Sequence, residues 1–245
     1  MWVQAVAGLV LGAIAGSFLA TILIRWPQER SALRGRSKCD GCGKTLRPSE
    51  LVPVLSFALA RGRCRRCGAA IDPRHLAVEL GAAFIGFVAL AAHPGALGAV
   101  TALFGWWLLL LAALDAEHHW LPDRLSVPLA PAGIMAGLAG YGPPLDERLI
   151  GVAAGFLVLT AIALAYRRIR GREGLGGGDP KLLAALGAWL GWQQLPLVLL
   201  GAGMIGLAAI LMIEVRGGKV QATDRLPLGA LMALAAWPIW LLTAA

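Results

Sequence analysis

The sequence predicts an all-α polytopic membrane protein: about eight transmembrane helices, with a small cytoplasmic zinc-ribbon-like loop domain between helices 1 and 2. Three observations carry that prediction. The 245 residues are 58% hydrophobic, with a mean hydropathy of +0.71. Only 15% are charged, against ~25% in soluble domains. All four cysteines lie in the one long polar stretch. The expected organisation is a first helix at 1–24, a tetra-cysteine loop domain at 25–75 and a second, larger membrane domain at 76–245.

Apolar runs fall at 2–24, 76–92, 96–114, 125–141, 148–166, 180–193, 195–213 and 227–243. Each reads as a helix, because unpaired backbone is prohibitive in hydrocarbon and a crossing takes ~20 residues. The run at 180–193 is short for a crossing, and reads as tilted or partly buried among its neighbours. The first run has no basic residues before it, so it reads as a retained span, not a cleavable signal.

Lysine and arginine set the orientation. With the N-terminus outside and all eight runs crossing, the inside segments are 25–75, 115–124, 167–181 and 214–226. They hold 21 of the 22 Lys and Arg residues, Arg148 alone falling outside, as the positive-inside rule requires. The net charge of +8 is thus a signal of topology and of anionic lipid headgroups, and nucleic acid is not an expected partner. The same arrangement puts Asp115, at the inner end of the third run, and Asp179, at the inner entrance to the sixth, at one membrane depth.

Cys39-Asp40-Gly41-Cys42 and Cys64-Arg65-Arg66-Cys67 are paired C-x-x-C knuckles, the form of a tetrathiolate zinc ribbon. Gly43 and Gly68 follow the two knuckles and suit the tight turns such a site needs. In a reducing cytoplasm stable disulfides are disfavoured. A closed four-sulfur site has no open position, so its expected role is structural, supplying folding energy to a loop too small for its own core.

Two stretches carry the remaining charge of interest. Asp115 to Arg124 reads Asp-Ala-Glu-His-His-Trp-Leu-Pro-Asp-Arg. Asp123, after Pro122, suits a helix start. Asp115 has no such reason to be there, since an acid at a helix C-terminus opposes the macrodipole. Glu117, His118 and His119 lack the spacing that would set two imidazoles on one helix face, and read as a turn. The second stretch, Gly174-Leu175-Gly176-Gly177-Gly178-Asp179-Pro180-Lys181, places an acid directly after three glycines. Asp179 fits a helix cap, and as an acid at the edge of an apolar span it is equally a functional candidate. The glycines permit positive φ and close approach of another chain.

No serine or cysteine nucleophile has a recognisable base, and there is no phosphate-binding glycine motif. Two carboxylates at one depth in a low dielectric share a proton. One activates water as base and the other serves as acid, the chemistry of an intramembrane aspartyl protease. Two other classes fit parts of the pattern. A proton-coupled transporter would want acids at the midplane and repeated halves. A membrane-anchored zinc-ribbon adaptor would need the cysteines and not the aspartates.

Several motifs together resemble the type IV prepilin peptidase family, over nearly the whole chain. They are Gly16-Ser17-Phe18-Leu19 with Arg25-Trp26-Pro27, the paired C-x-x-C loop with Glu79 after it, and Leu114-Asp115 through Asp123 to Leu129. Gly176-Gly177-Gly178-Asp179-Pro180-Lys181-Leu182 resembles the GxGD signature, and Ala185 to Trp192 also resembles the family. The resemblance implies an inner-membrane enzyme that removes the basic leader of type IV prepilins or type II secretion pseudopilins on the cytoplasmic side. It further implies N-methylation of the new amino terminus with S-adenosylmethionine. By motif position Asp115 and Asp179 are the catalytic pair, and Asp123, Gly176, Gly178 and Lys181 are supporting. Family members with the cysteine loop commonly carry both activities; a peptidase without methyltransferase activity is the alternative. Two departures stand out. Ala20 replaces the family's usual Asn, and Arg225-Leu226-Pro227-Leu228-Gly229-Ala230 follows the family pattern loosely. Neither segment is expected to touch the aspartates. The leader is cationic and so is the enzyme's inner face, so local acids (Glu29, Glu50, Asp72, Glu117, Glu173) are expected to contact it.

Overall fold

The computed structural model describes residues 2–32, 35–171, 174–218 and 226–244. Of the residues singled out above, Glu173 and Arg225 lie outside these. Every expected apolar run is a helix, and no strand occurs among the described residues. The helices are α1 (Trp2–Arg25), α2 (Leu55–Leu59), α3 (Pro73–Ala92), α4 (Ala96–His118), α5 (Asp123–Leu138), α6 (Leu145–Arg170), α7 (Asp179–Leu190), α8 (Leu195–Val215) and α9 (Leu228–Thr243). Five of the helical segments, those of α1, α3, α4, α6 and α8, are long and apolar enough to cross a membrane. Helices α5, α7 and α9 are shorter, at 16, 12 and 16 residues. Large apolar side chains such as Leu157, Ile162, Leu200, Met204 and Leu207 stand exposed on α6 and α8. Apolar surface of that extent is unsuited to water and suited to lipid.

Backbone contacts divide the chain into Met1–Leu110 and Leu111–Ala245. In the first unit, α1 and α3 pack antiparallel along a stripe of small residues. Gly8 abuts the Gly86 carbonyl, Gly12 the Ala82 carbonyl and Gly16 the Glu79 Cα. Between lipid-solvated helices, close backbone approach replaces hydrophobic burial as the source of cohesion. Ala20, also buried, extends the same four-residue period, and buried Ala5 stands one turn before Gly8. Ala20 is thus part of the packing stripe. At the start of α3, Asp72 accepts from the Arg74 backbone N–H at 2.9 Å and Pro73 fills the first helical position.

In the second unit α7 is the core. Eleven of its twelve residues are buried, Lys181 excepted. At ~1.5 Å per residue it is about 18 Å long, well short of the ~30 Å hydrocarbon core. The run at 180–193 is therefore a short helix enclosed by its neighbours, ending at Gly191 with φ 75°. Gly151 and Gly155 of α6 lie against the Gly187 and Leu183 backbone of α7, and Gly133 of α5 against Ala188. Trp189 of α7 donates to the Leu129 carbonyl at 2.9 Å and meets Trp240 of α9 edge to face, centroids 5.2 Å apart.

Arg148 departs from expectation. It is the one cation assigned to the outside, yet its side chain is fully buried. Its guanidinium donates to the carbonyls of Pro143, Gly133 and Ala188, each at 2.7 Å, and to that of Tyr141. It also lies 5.9 Å from the centre of the Trp240 ring. The carbonyls belong to the α5–α6 turn and to α5 and α7, so one cation ties these elements together. Hydropathy alone does not reveal this, because a single charge near the end of an apolar run looks the same whether it faces water or backbone.

Candidate active site

Helix α4 continues past the apolar run to His118, so Asp115 stands in its last turn, followed by His119 at φ 50°. Asp115 is buried, 5% exposed. Its Oδ2 accepts from the Ala230 backbone N–H at 2.8 Å. Ala230 is in the first turn of α9, where helix N–H groups lack intrahelical partners and the dipole favours an anion. The C-terminus of α4 disfavours this acid, and the N-terminus of α9 compensates it. Gly229 also matters here: a Cβ on it would lie 3.0 Å from Asp115 Oδ2. The loosely matching segment around Gly229 and Ala230 therefore does touch an aspartate, contrary to expectation. The contact joins residues 115 positions apart, and no local pattern announces it.

Asp179 is the first residue of α7, Gly178 preceding it as the cap residue without a side-chain cap. The Asp179 carboxylate turns back instead, accepting from the Gly176 N–H at 3.0 Å, while the Asp179 N–H donates to the Gly176 carbonyl at 3.2 Å. The expectation of a helix cap is corrected to that of an acid held in its own glycine loop. Asp179 is 7% exposed.

Gly176, Gly177 and Gly178 all avoid positive φ, so conformational freedom is not why they are glycine. Space is the reason at two of the three. A Cβ on Gly178 would sit 2.7 Å from Leu121 Cβ, and one on Gly176 would sit 3.3 Å from Asp179 Oδ2, while one on Gly177 would meet nothing within 4 Å. The Gly-x-Gly-Asp pattern is legible in those two close contacts and the open position between them. Leu121 is the hinge of the site, because its Cδ1 would also meet a Cβ on Gly229 at 2.7 Å. One leucine thus separates the glycine beside Asp179 from the glycine beside Asp115. Nothing in the sequence distinguishes Leu121 from other leucines.

Asp123 opens α5 as expected, and its Oδ1 accepts from Lys181 Nζ at 2.7 Å. The pair is solvent-exposed, at 63% and 40%. Among the acids expected to meet a cationic leader, Glu50 accepts from the Arg47 N–H at 2.8 Å and Asp72 pairs with Arg74 at 2.5 Å. The Arg74 guanidinium, with lesser help from its backbone N–H, holds the Asp72 carboxyl below its ordinary range.

In the first unit the four cysteines converge, their sulfurs all within 4.8 Å of one another. Cys39 and Cys67 sulfurs are 3.8 Å apart. Four thiolates at Zn–S distances of ~2.3 Å in a tetrahedron lie ~3.8 Å apart, so the set is compatible with zinc. The knuckles are near copies. Gly43 and Gly68 take φ 68° and 72° and donate to the Cys39 and Cys64 carbonyls at 2.8 and 2.9 Å. Backbone N–H groups of Arg66, then Cys67, pull the Cys64 thiol down to about 7, while at Cys67 the Ala69 N–H is outweighed by desolvation and the neighbouring thiols, which push that thiol up to about 11.

Residues 102–211 match the model of the type IV leader peptidase family, and residues 10–93 that of the bacterial peptidase A24 N-terminal domain. A prepilin leader peptidase/N-methyltransferase of Burkholderia pseudomallei (strain 1026b) is 38% identical over 94% of this chain and 82% of its own length.

The chain belongs to the type IV leader peptidase family.

Relatives of the same name in Dichelobacter nodosus and Pseudomonas aeruginosa are 41% and 35% identical, over 86% and 94% of this chain and 73% and 87% of their own. No solved structure matches. Both aspartates fall within the leader-peptidase match and all four cysteines within the N-terminal-domain match. Helix α9, which supplies the amide to Asp115, lies beyond the residues matched. The chain is a membrane-embedded enzyme of the leader peptidase family.

Proposed function

We propose that this chain cleaves the basic leader from type IV prepilins or type II secretion pseudopilins at the cytoplasmic membrane face, and N-methylates the amino terminus so exposed. Asp115 and Asp179 are the catalytic pair. The observation that carries the reading is the joint burial of these two carboxylates, each with an oxygen held on a backbone amide, across a single leucine. Two close carboxylates in a low dielectric hold one proton between them. The charged one draws a proton from water as it attacks the scissile carbonyl, and the protonated one donates toward the developing oxyanion and leaving nitrogen. The amides of Ala230 and Gly176 orient one oxygen of each carboxylate, leaving the other for water and substrate. Gly176 and Gly178 keep the approach open, and the Asp123–Lys181 pair joins the starts of α5 and α7 on the exposed side.

The four cysteines hold a structural zinc ion that orders the loop at 25–75, between the first helix at 1–24 and the peptidase domain at 76–245. The cation distribution supports a bacterial inner-membrane topology with the N-terminus outside and the cysteine loop and both aspartates at the cytoplasmic side. The basic surface serves topology and lipid contact, with no nucleic acid partner. S-adenosylmethionine, when bound, supplies an electrophilic methyl group for the new amine.

The test is incubation of purified protein with a prepilin, comparing wild type with Asp115→Asn and Asp179→Asn. Loss of an essential acid or base costs ~10²–10⁴-fold, so each variant is expected to lose cleavage by about 10³-fold. Undiminished cleavage by both would overturn the pair.

A further inference from the structure

We propose that the cavity enclosed by α1, the cysteine loop and α3 is the binding site for S-adenosylmethionine, with Glu79 supplying the negative charge that its sulfonium requires. The proposal rests on the methyltransferase half of the reading above and adds to it a place and an anchoring residue. The cavity leaves about 170 Å³ open to the centres of water molecules. One water needs ~10–15 Å³ on that measure, so the space admits a far larger guest. Ser17 and Thr21 of α1, Phe57 of α2, and His75 and Glu79 of α3 line it, with Arg25 and Arg30 also in its wall. Hydroxyl and imidazole groups suit a ribose, an aromatic ring suits a purine face, and guanidinium groups suit the amino-acid carboxylate.

Glu79 is the decisive residue. It is 6% exposed on a helix apolar enough to cross a membrane, where a carboxylate is costly and marks a functional site by default. The asp-protease chemistry described above does not use it. Its Oε2 accepts from the Val54 N–H at 2.7 Å. Val54 is the centre of a γ-turn, with φ 62° and ψ −53° and the Leu55 N–H on the Pro53 carbonyl at 2.6 Å. That conformation is rare and strained, the more so for a β-branched residue. The loop is bent against its preference to put an amide on one oxygen of this carboxylate, which fixes the carboxylate in the cavity wall. A buried cation of matching size is the guest that turns that cost into binding.

The experiment is calorimetric titration of the zinc-loaded full-length protein with S-adenosylmethionine and with S-adenosylhomocysteine, its uncharged thioether, for wild type and Glu79→Gln. The expected result is binding of S-adenosylmethionine weakened at least 10-fold by Glu79→Gln, with a smaller loss for the thioether. Since the variant could misfold, wild-type protein is also photolabelled with an azido-adenine derivative of S-adenosylmethionine. Label on peptides spanning 17–25, 54–57 or 72–79 supports the site, and label confined to 111–245 overturns it. If wild type binds and Glu79→Gln binds equally well, the site is wrong and the methyltransferase reading stands. If wild type neither binds S-adenosylmethionine nor transfers methyl, that reading fails and takes the site with it.

Discussion

Gly178→Ala isolates the geometric claim about the aspartate loop. The added Cβ would meet Leu121 Cβ at 2.7 Å, against an optimal carbon–carbon separation of ~3.5–4.0 Å. Both atoms are fixed to backbone, so no rotamer change relieves the clash, and one segment must move by about 1 Å. Overpacking of this kind costs ~1–3 kcal/mol, which a folded membrane domain survives. A displacement of ~1 Å at a catalytic group costs about 10²-fold in rate, because Asp179 is the next residue. Gly177→Ala is the internal control: nothing lies within 4 Å of its Cβ, and activity within about twofold of wild type is expected. Leu121→Gly removes the three atoms nearest the new Cβ, and should restore much of the Gly178→Ala loss. Leu121→Ala keeps the Cβ and should not. The assay is the time course of leader removal from a purified prepilin, followed by gel mobility and mass. Equal cleavage by Gly177→Ala and Gly178→Ala, or rescue by Leu121→Ala as good as by Leu121→Gly, would refute the steric argument.

Arg148→Met strips the donor from four carbonyls, each worth ~1–3 kcal/mol if stranded; a loss of at least about 3 kcal/mol is expected in detergent unfolding, and a loss under 1 kcal/mol would contradict the role. Arg148→Lys should recover less than half of it, lacking the planar fork. Zinc analysis should find one ion per chain; a strong chelator should release it and open residues 35–75 to protease, since such sites hold ~10–16 kcal/mol of folding energy. Lys181→Met breaks an exposed pair and should change stability by less than about 1 kcal/mol, measured by the same unfolding assay. Gly12→Leu sets a branched side chain against the Ala82 backbone and should loosen α1 from α3, costing about 1–3 kcal/mol in the same unfolding assay.

Several features were legible in residues alone, and each is locally encoded. Eight apolar runs became eight helices with ends displaced by a few residues, because hydrocarbon leaves the backbone no alternative. The C-x-x-C knuckles converged because ligand spacing and the following glycine are written within six residues. The periodic glycines of α1 (Gly8, Gly12 and Gly16) are a packing signal of the same local kind, one that hydropathy masks. Other features have no local signature. Asp115 depends on an amide of α9, far along the chain, and Arg148 reads as an outside charge until its carbonyls are in view. Leu121 is one leucine among many until two glycines close on it.

The order of residues alone dictates which segments are helical and which sulfurs come together. The folded arrangement is needed to see why Gly176 and Gly178 are glycine, what compensates the charge of Asp115 and where Glu79 is held. The physical reason is one of range. Backbone hydrogen bonding in lipid and ligand spacing in a knuckle act between near neighbours in sequence. The desolvation of a carboxylate and the closest approach of two backbones depend on whatever the fold brings alongside, however distant in the chain.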